Sequence, residues 1–272
     1  MGKIVLKGAN NARDFGGIKN REGKTIKPDC FLRSNKLDKL NKNDIETLKS
    51  HRIKTLIDLR TKVEMTDAPD VTIDGVKHIH VPIYSEEVMG ITHENNQNKI
   101  KMLDYLPDMS KLYSTMVTKD ECIAQLKRAF DVITKSDGSG SILWHCTEGK
   151  DRCGLVSALF LIMLDVDIET VFEDYLETNV AAVKRSNTLY YLVKYLLRRK
   201  EEAEKVREIF LAKREYLAAA INTINEKWGG TDEFIRNKLG VSDEVKEMMK
   251  EKFLLSEDTE ERRAQMAPHS SL

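Results

Sequence analysis

Short apolar runs bounded by polar residues alternate with longer segments of helical spacing through the first half of this chain. That is the pattern of strands and helices packed in layers. Strands are predicted at residues 30–33, 54–59, 77–82 and 141–145. Between the third and fourth, apolar residues recur at helical spacing over 98–117 and 119–135, so helices are predicted there. Strands joined through helices run parallel, because a crossover of that length brings the chain back to start the next strand from the same end. The fold class that follows is α/β, with a central, mostly parallel sheet flanked by helices. Past residue 153 the pattern turns helical almost throughout: 154–164, 168–179, 182–199, 201–227, 231–239 and 242–254 are each predicted as helices. No internal repeat or low-complexity linker divides the chain, and the Asp137 to Gly140 cluster is read as a turn into a strand. One domain is expected over 1–272, made of an α/β core (1–152), a helical half (153–255) and a tail (256–272).

Composition narrows the function classes. The 272 residues are 41% hydrophobic, enough for a sizeable core, and Lys plus Arg balance Asp plus Glu at 44 each. A neutral molecule has no overall field drawing it to nucleic acid or to an anionic membrane, so any affinity for anions must be local. The four cysteines (Cys30, Cys122, Cys146 and Cys153) lack the spacing of a zinc site, and the scattered histidines add none. Free thiols in a reducing compartment are expected, with no metal and no organic cofactor. No transmembrane segment and no signal peptide is read in the chain, so a cytoplasmic protein, or one secreted into a host, is expected.

The candidate chemistry lies where an apolar strand meets a helix. Residues 141–145 form the strand, Cys146-Thr147-Glu148-Gly149-Lys150-Asp151-Arg152 follow, and a helix begins near Cys153. A loop curled at a helix amino terminus directs successive backbone N–H groups into one concavity, and the helix dipole adds positive charge there. Such a cradle suits a tetrahedral dianion, and residues 147–152 (Thr147, Glu148, Gly149, Lys150, Asp151, Arg152) are its predicted phosphate-binding set. Cys146 at its mouth is expected to have a depressed pKa and to be the nucleophile. Arg152 offers a planar fork of donors to two phosphate oxygens, a geometry lysine lacks. Gly149 fits a close approach or a positive φ, and Lys150 is expected to place a second cation at the rim.

The run His145 to Gly154, HCTEGKDRCG, resembles the His-Cys-x5-Arg signature loop of protein-tyrosine phosphatases. Its Gly-Lys-Asp-Arg variant is similar to that of bacterial tyrosine and phosphoinositide phosphatases of broad specificity. Asn11 to Gly17, Phe31 to Ser34, Thr55 to Arg60 with Glu64, and Asp174 to Asn179 resemble family segments in order and spacing. The resemblance covers roughly residues 10–255. It implies a protein-tyrosine-phosphatase-like fold and a reaction through a phosphocysteine on Cys146. The implied substrates are a phosphorylated protein or a phosphoinositide. Soluble inositol phosphates or other small phosphomonoesters are an alternative, as is a phosphate-binding pseudophosphatase. Family members usually carry Thr or Ser after the loop arginine, whose hydroxyl donates to the cysteine sulfur. Here Cys153 stands at that position, and a thiol is a weak donor. Slow turnover, a reversible Cys146 to Cys153 disulfide or an inert small thiol all follow from that departure.

A general acid must reach the leaving oxygen. Asp151 lies inside the loop and resembles the family's loop aspartate. Asp58 ends a strand at the edge where ligands bind in open α/β sheets, unless it is a structural partner of Arg60 or Arg33. Asp108, in Leu106-Pro107-Asp108, is the third candidate. Separately, basic residues from Lys184 to Lys200 surround an apolar stripe of Leu189, Tyr190, Leu192, Val193, Leu196 and Leu197. Core packing of that stripe is expected, with contact to anionic lipid or covering of the active site as the other readings.

Overall fold

A computed structural model describes residues 2–85, 108–196 and 198–256. The amino-terminal third holds strands β1 (Gly2–Lys3), β2 (Arg13–Asp14), β3 (Thr25–Ile26) and β4 (Phe31–Ser34). Helix α1 (Lys42–Ser50), β5 (Ile53–Asp58), α2 (Lys62–Asp67) and β6 (Lys77–His80) follow. After α3 (Met109–Met116) and α4 (Asp120–Thr134) comes β7 (Ser141–His145). The rest is α5 (Asp151–Met163), α6 (Ile168–Tyr191), a π-helical segment Leu192–Leu196, α7 (Lys200–Phe210), α8 (Arg214–Trp228), α9 (Thr231–Asn237), α10 (Asp243–Phe253) and β8 (Leu254–Leu255).

Six strands form the main sheet in the order β1-β2-β4-β7-β5-β6. β4, β7, β5 and β6 pair in parallel, and only β1 and β2 at one side run antiparallel. β7 sits near the middle with every residue buried, as expected for a strand of Ile142, Leu143 and Trp144 that is covered on both faces. Trp144 anchors the aromatic centre of the core. Phe15 stacks on it at 5.0 Å and Phe160 meets it edge-on at 5.4 Å. α5 is buried almost all round, so it is the central helix against which the others pack. A two-stranded sheet, β3 with β8, ties the carboxy-terminal end back to residues 25–26, and Phe15 and Phe253 belong to the same hydrophobic cluster.

The four predicted strands are present, and the sheet is mostly parallel. Several helical predictions need correction. Helices α1 and α2, short and largely polar, were not predicted, although both carry a capping box: Asn41 with Asp44, and Thr61 with Glu64. The helix expected over 98–117 is described only from residue 108 and runs Met109–Met116; residues 98–107 lie outside the described ones, as do 257–272 of the expected tail. The helices expected at 168–179 and 182–199 are one helix, α6, because no glycine or proline interrupts them. The single helix expected over 201–227 is instead two. The Asn179 side chain accepts from the Ala212 N–H at 2.7 Å and donates to the Ala212 carbonyl at 2.9 Å. That pairing takes the backbone groups the helix would have used.

Candidate active site

β7 ends at His145 and α5 starts at Asp151, so Cys146 to Lys150 form a turn at the carboxyl end of the central strand. In open α/β sheets this is the end where ligands sit. Gly149 has φ +67°, and a Cβ there would stand 2.7 Å from the Ser34 carbonyl oxygen, so no other residue fits. Its own carbonyl accepts from Arg33 Nη2 and from Asn11 Nδ2, both at 2.8 Å. A peptide's C=O and N–H point in opposite directions. The two donors therefore hold the Lys150 N–H facing away from them.

Those donors are set by a buried ion cluster. Asp174 on α6 takes Arg33 Nη1 at 2.7 Å and Arg13 Nε at 3.1 Å, and its backbone carbonyl accepts from Arg13 Nη2 at 2.8 Å. All three side chains are buried. Here the segments around Asn11, Arg33 and Asp174 converge, and their shared task is to orient one loop carbonyl.

A second buried cluster backs the other side. Arg60 donates through Nε and Nη2 to the two oxygens of Asp58, at 2.8 and 2.7 Å, and through Nη2 to Asp70 at 2.7 Å. His145 Nε2 lies 3.1 Å from Asp70, a charge-and-dipole contact more than an aligned hydrogen bond. Asp58 also accepts the Arg60 N–H. Both of its oxygens are thus engaged, as a structural partner of Arg60, which weighs against a role as acid. Asp58, Asp70 and His145 stand close enough together for a metal ion. The Arg60 guanidinium already lies against both carboxylates, so the donor set does not suit a second cation.

Cys146 is 2% exposed. Burial alone would push its thiol up. The Cys153 S–H directed at the sulfur, the Arg152 charge and the Cys153 N–H outweigh burial and bring Cys146 down to about 5. Cys153, the residue that stands where the family usually carries a hydroxyl, is thus among the groups that favour the thiolate. Cys153 Sγ also lies 3.6 Å from the Ser34 carbonyl and 3.9 Å from that of Trp144.

Arg152 is held by a residue outside the loop. Its Nη1 and Nη2 donate to the two oxygens of Glu64, the Nη2 bond at 2.8 Å, while Thr147 Oγ1 also donates to Glu64. Burial favours the neutral Glu64 acid, but Arg152 and Thr147 overcome it and hold the carboxyl at about 2. Glu64 is also the capping-box residue of α2, accepting the Thr61 N–H at 2.9 Å, so the helix start and the guanidinium share one brace. Arg152 Nε is buried and has no hydrogen-bond partner among the described residues. The Tyr84 ring lies 4.7 Å from the guanidinium carbon.

The remaining predicted residues divide. Asp151 Oδ1 accepts from the Tyr113 hydroxyl at 3.0 Å, which is itself 2.8 Å from the Tyr175 hydroxyl. The Asp151 side chain is one-fifth exposed, so it keeps a path to solvent. Lys150 does not project at the rim. Its ammonium is buried, donates to the Ile209 carbonyl and lies 3.4 Å from that of Leu211. Those carbonyls are freed by the break between α7 and α8, which explains the departure. Asp108 caps α3 through the Lys111 N–H and is exposed. Sequence reasoning assigned no role to Tyr84, Tyr113 or Asp70. Glu64 and Asp174 were noted only within family-like segments.

The sequence profile of the tyrosine phosphatase family matches residues 4–255. The chain belongs to that family. It is accordingly a hydrolase, and its relatives carry matching names. A provisionally named tyrosine-protein phosphatase of Cupriavidus necator is 24% identical over 85% of this chain and 82% of its own length. The triple specificity protein phosphatase PtpB of Mycobacterium tuberculosis is 24% identical, covering 85% of this chain and 92% of its own. A tyrosine-protein phosphatase of Nostoc commune is 28% identical over 55% of this chain and 48% of its own. The crystal structure of P. aeruginosa TpbA matches 72% of this chain and 90% of its own at 14% identity and a TM-score of 0.35, too slight a likeness to support an argument. Among the described residues of this tyrosine phosphatase, no helix is long and apolar enough to cross a membrane.

Proposed function

We propose that this chain hydrolyses phosphotyrosine, phosphoinositide monoesters or both, through a phosphocysteine formed on Cys146. The observation that carries the reading is a thiol lowered to about 5 in the same loop as a braced guanidinium. The Cys146 thiolate attacks phosphorus, and the sulfur–phosphorus bond forms as the bond to the leaving oxygen breaks. Arg152 stabilises the charge on the equatorial oxygens, with its Nε, unpartnered among the described residues, as a donor already in place. Asp151 gives its proton to the leaving oxygen. Water then attacks phosphorus, Asp151 takes the proton back, and phosphate departs as the thiolate is regenerated. The Tyr113 hydroxyl supports this assignment by fixing Asp151 at 3.0 Å.

The family membership and the names of the relatives favour phosphotyrosine, and the signature-loop resemblance favours phosphoinositides. One hydrophobic cluster drawing on both halves supports reading residues 4–255 as a single catalytic domain. Release of phosphate from an aryl phosphate by wild type and Cys146→Ser is the test. The variant is expected to fall below about one-thousandth of wild type. Equal, negligible rates would leave a phosphate-binding protein instead. Rates on phosphotyrosine peptide, phosphoinositide vesicles and soluble inositol phosphates then rank the substrates. For the acid, Asp151→Asn is expected to slow a poor leaving group more than a good one; an unchanged leaving-group dependence rejects Asp151.

A further inference from the structure

Residues 178–200 contain six cations, Lys184, Arg185, Lys194, Arg198, Arg199 and Lys200, and no Asp or Glu, in a chain whose formal net charge is zero. The end of α6, the π-helical segment and α7 fold back on one another as a hairpin. Inside it, Tyr190 and Val193 pack on Ala203 and Val206 as a small cluster separate from the main core. Outside it, Tyr191, Leu192, Tyr195 and Leu196 are 56%, 47%, 65% and 73% exposed. The core packing expected for this stripe therefore holds for Tyr190 and Val193 and fails for Leu192 and Leu196. The tip is apolar on both sides, and the described residues cover only one of them.

Single exposed apolar residues are ordinary, but four within six positions at the end of a hairpin make a patch that calls for a partner. Tyr191 and Tyr195 stack on each other with ring centroids 6.0 Å apart and an interplanar angle of 11°. Arg198 and Lys200 at the turn are exposed and Lys194 is half-buried, while Arg199 is engaged by Glu202 at 2.8 Å. Exposed aliphatic side chains, tyrosines and cations within one short stretch match what a bilayer surface offers: acyl chain, headgroup and lipid phosphate. A nucleic acid would match the cations and the rings but would give Leu192 and Leu196 no apolar contact.

We propose that the tip of this hairpin docks on anionic lipid bilayers. Tyr191, Leu192, Tyr195 and Leu196 enter the headgroup layer, and Lys194, Arg198 and Lys200 lie against lipid phosphates. The base of the hairpin is bonded to the signature loop, since Lys150 donates to the Ile209 carbonyl. A docked tip therefore holds the phosphate cradle beside the membrane. The docking does not depend on which ester the cradle accepts.

The test is flotation of the full chain with phosphatidylcholine vesicles, with and without about 30% phosphatidylserine, at low and high salt. Wild type is expected to float with the anionic vesicles only and to be released by salt. Lys194→Glu with Arg198→Glu is expected to weaken binding roughly 25-fold, from about fivefold per cation. Tyr195→Ser with Leu196→Ser should weaken it about tenfold. Both double variants should keep the wild-type thermal transition and the wild-type rate on a soluble aryl phosphate. A loss of docking is thus distinguishable from a failure of the phosphatase reading. The proposal is overturned if wild type stays unbound or binds neutral vesicles equally. It is also overturned if both variants float like wild type, or if single-stranded RNA strips the protein from the vesicles.

Discussion

Around the signature loop, Arg13, Arg33, Arg60 and Arg152 are buried and each meets a carboxylate within 3.1 Å. At the hairpin tip, Arg198 and Lys200 are exposed beside tyrosines and leucines that no described residue covers. A buried guanidinium is tolerated only while its partner stays, because losing the partner leaves an uncompensated charge worth about 3–5 kcal/mol. An exposed pair is worth about 0–1 kcal/mol and can be exchanged for contact with another molecule. The same residue types therefore do opposite things. In the loop they fix where atoms stand, and at the tip they leave a surface open to association.

The largest expected effect comes from removing the acid shared by two buried cations. Asp174→Asn leaves Arg13 and Arg33 short of one negative charge and frees the Gly149 carbonyl from its fixed donor. A loss of about 3–5 kcal/mol is expected, read as a fall in Tm of roughly ten degrees. A transition within a degree of wild type would mean the cluster tolerates its charges unpaired, and the contrast with the tip would collapse. Next, Arg152→Lys keeps a cation facing Glu64 but loses the fork. A fall of about 10²–10³ in kcat/KM is expected, with a smaller change in Tm.

How far the sequence led to this arrangement differs from element to element. The strand at 141–145 was legible because its apolar run is bounded by Gly140 and by a polar loop. The pairing of Asp58 with Arg60 was within reach, being two positions apart. The bond from Arg33 to Asp174 was not, since 141 residues separate them and no periodicity links one buried ion to another. The direction of Lys150 was illegible for a related reason. Besides the neighbouring Asp151 carboxylate at 3.2 Å, its ammonium reaches two carbonyls 59 and 61 residues on in the chain, beside the break where Asn179 pairs with Ala212. α2 was overlooked because it buries no residue of its own, yet its capping glutamate is the brace for Arg152. The misplaced Lys150 and the split of the helix expected over 201–227 both turn on contacts between segments far apart in the chain.

Cys153 tests the loop at a finer scale, through a thiol where a hydroxyl would be expected. Its S–H is the largest contribution lowering Cys146, so Cys153→Ala should raise the Cys146 pKa from about 5. Only the thiolate attacks, so kcat/KM rises with pH as Cys146 ionises, and the acid limb should move upward in the variant. For a displacement of about one unit, the rate below the limb falls about tenfold while the rate near neutral pH changes little. An unmoved limb with a uniformly reduced rate would mean the sulfur acts on a later step. Cys153→Thr should restore the limb, because a hydroxyl donates at least as well.

The smallest expected effect lies at the tip, and there the comparison can be made within one hairpin. Tyr195→Ser removes a ring that stands 65% exposed, so unfolding free energy should stay within about 0.5 kcal/mol of wild type. Val193→Ala, two positions away and 4% exposed, removes packing against Ala203 and Val206 and should cost about 1–2 kcal/mol. A matching loss for Tyr195→Ser would mean that its ring, with Tyr191, helps hold the hairpin together. Equal tolerance of both changes would mean that the inner cluster adds little to stability. The expected inequality separates a covered face from an uncovered one on the same turn of chain, and it comes from burial, since both substitutions fall in one π-helical segment.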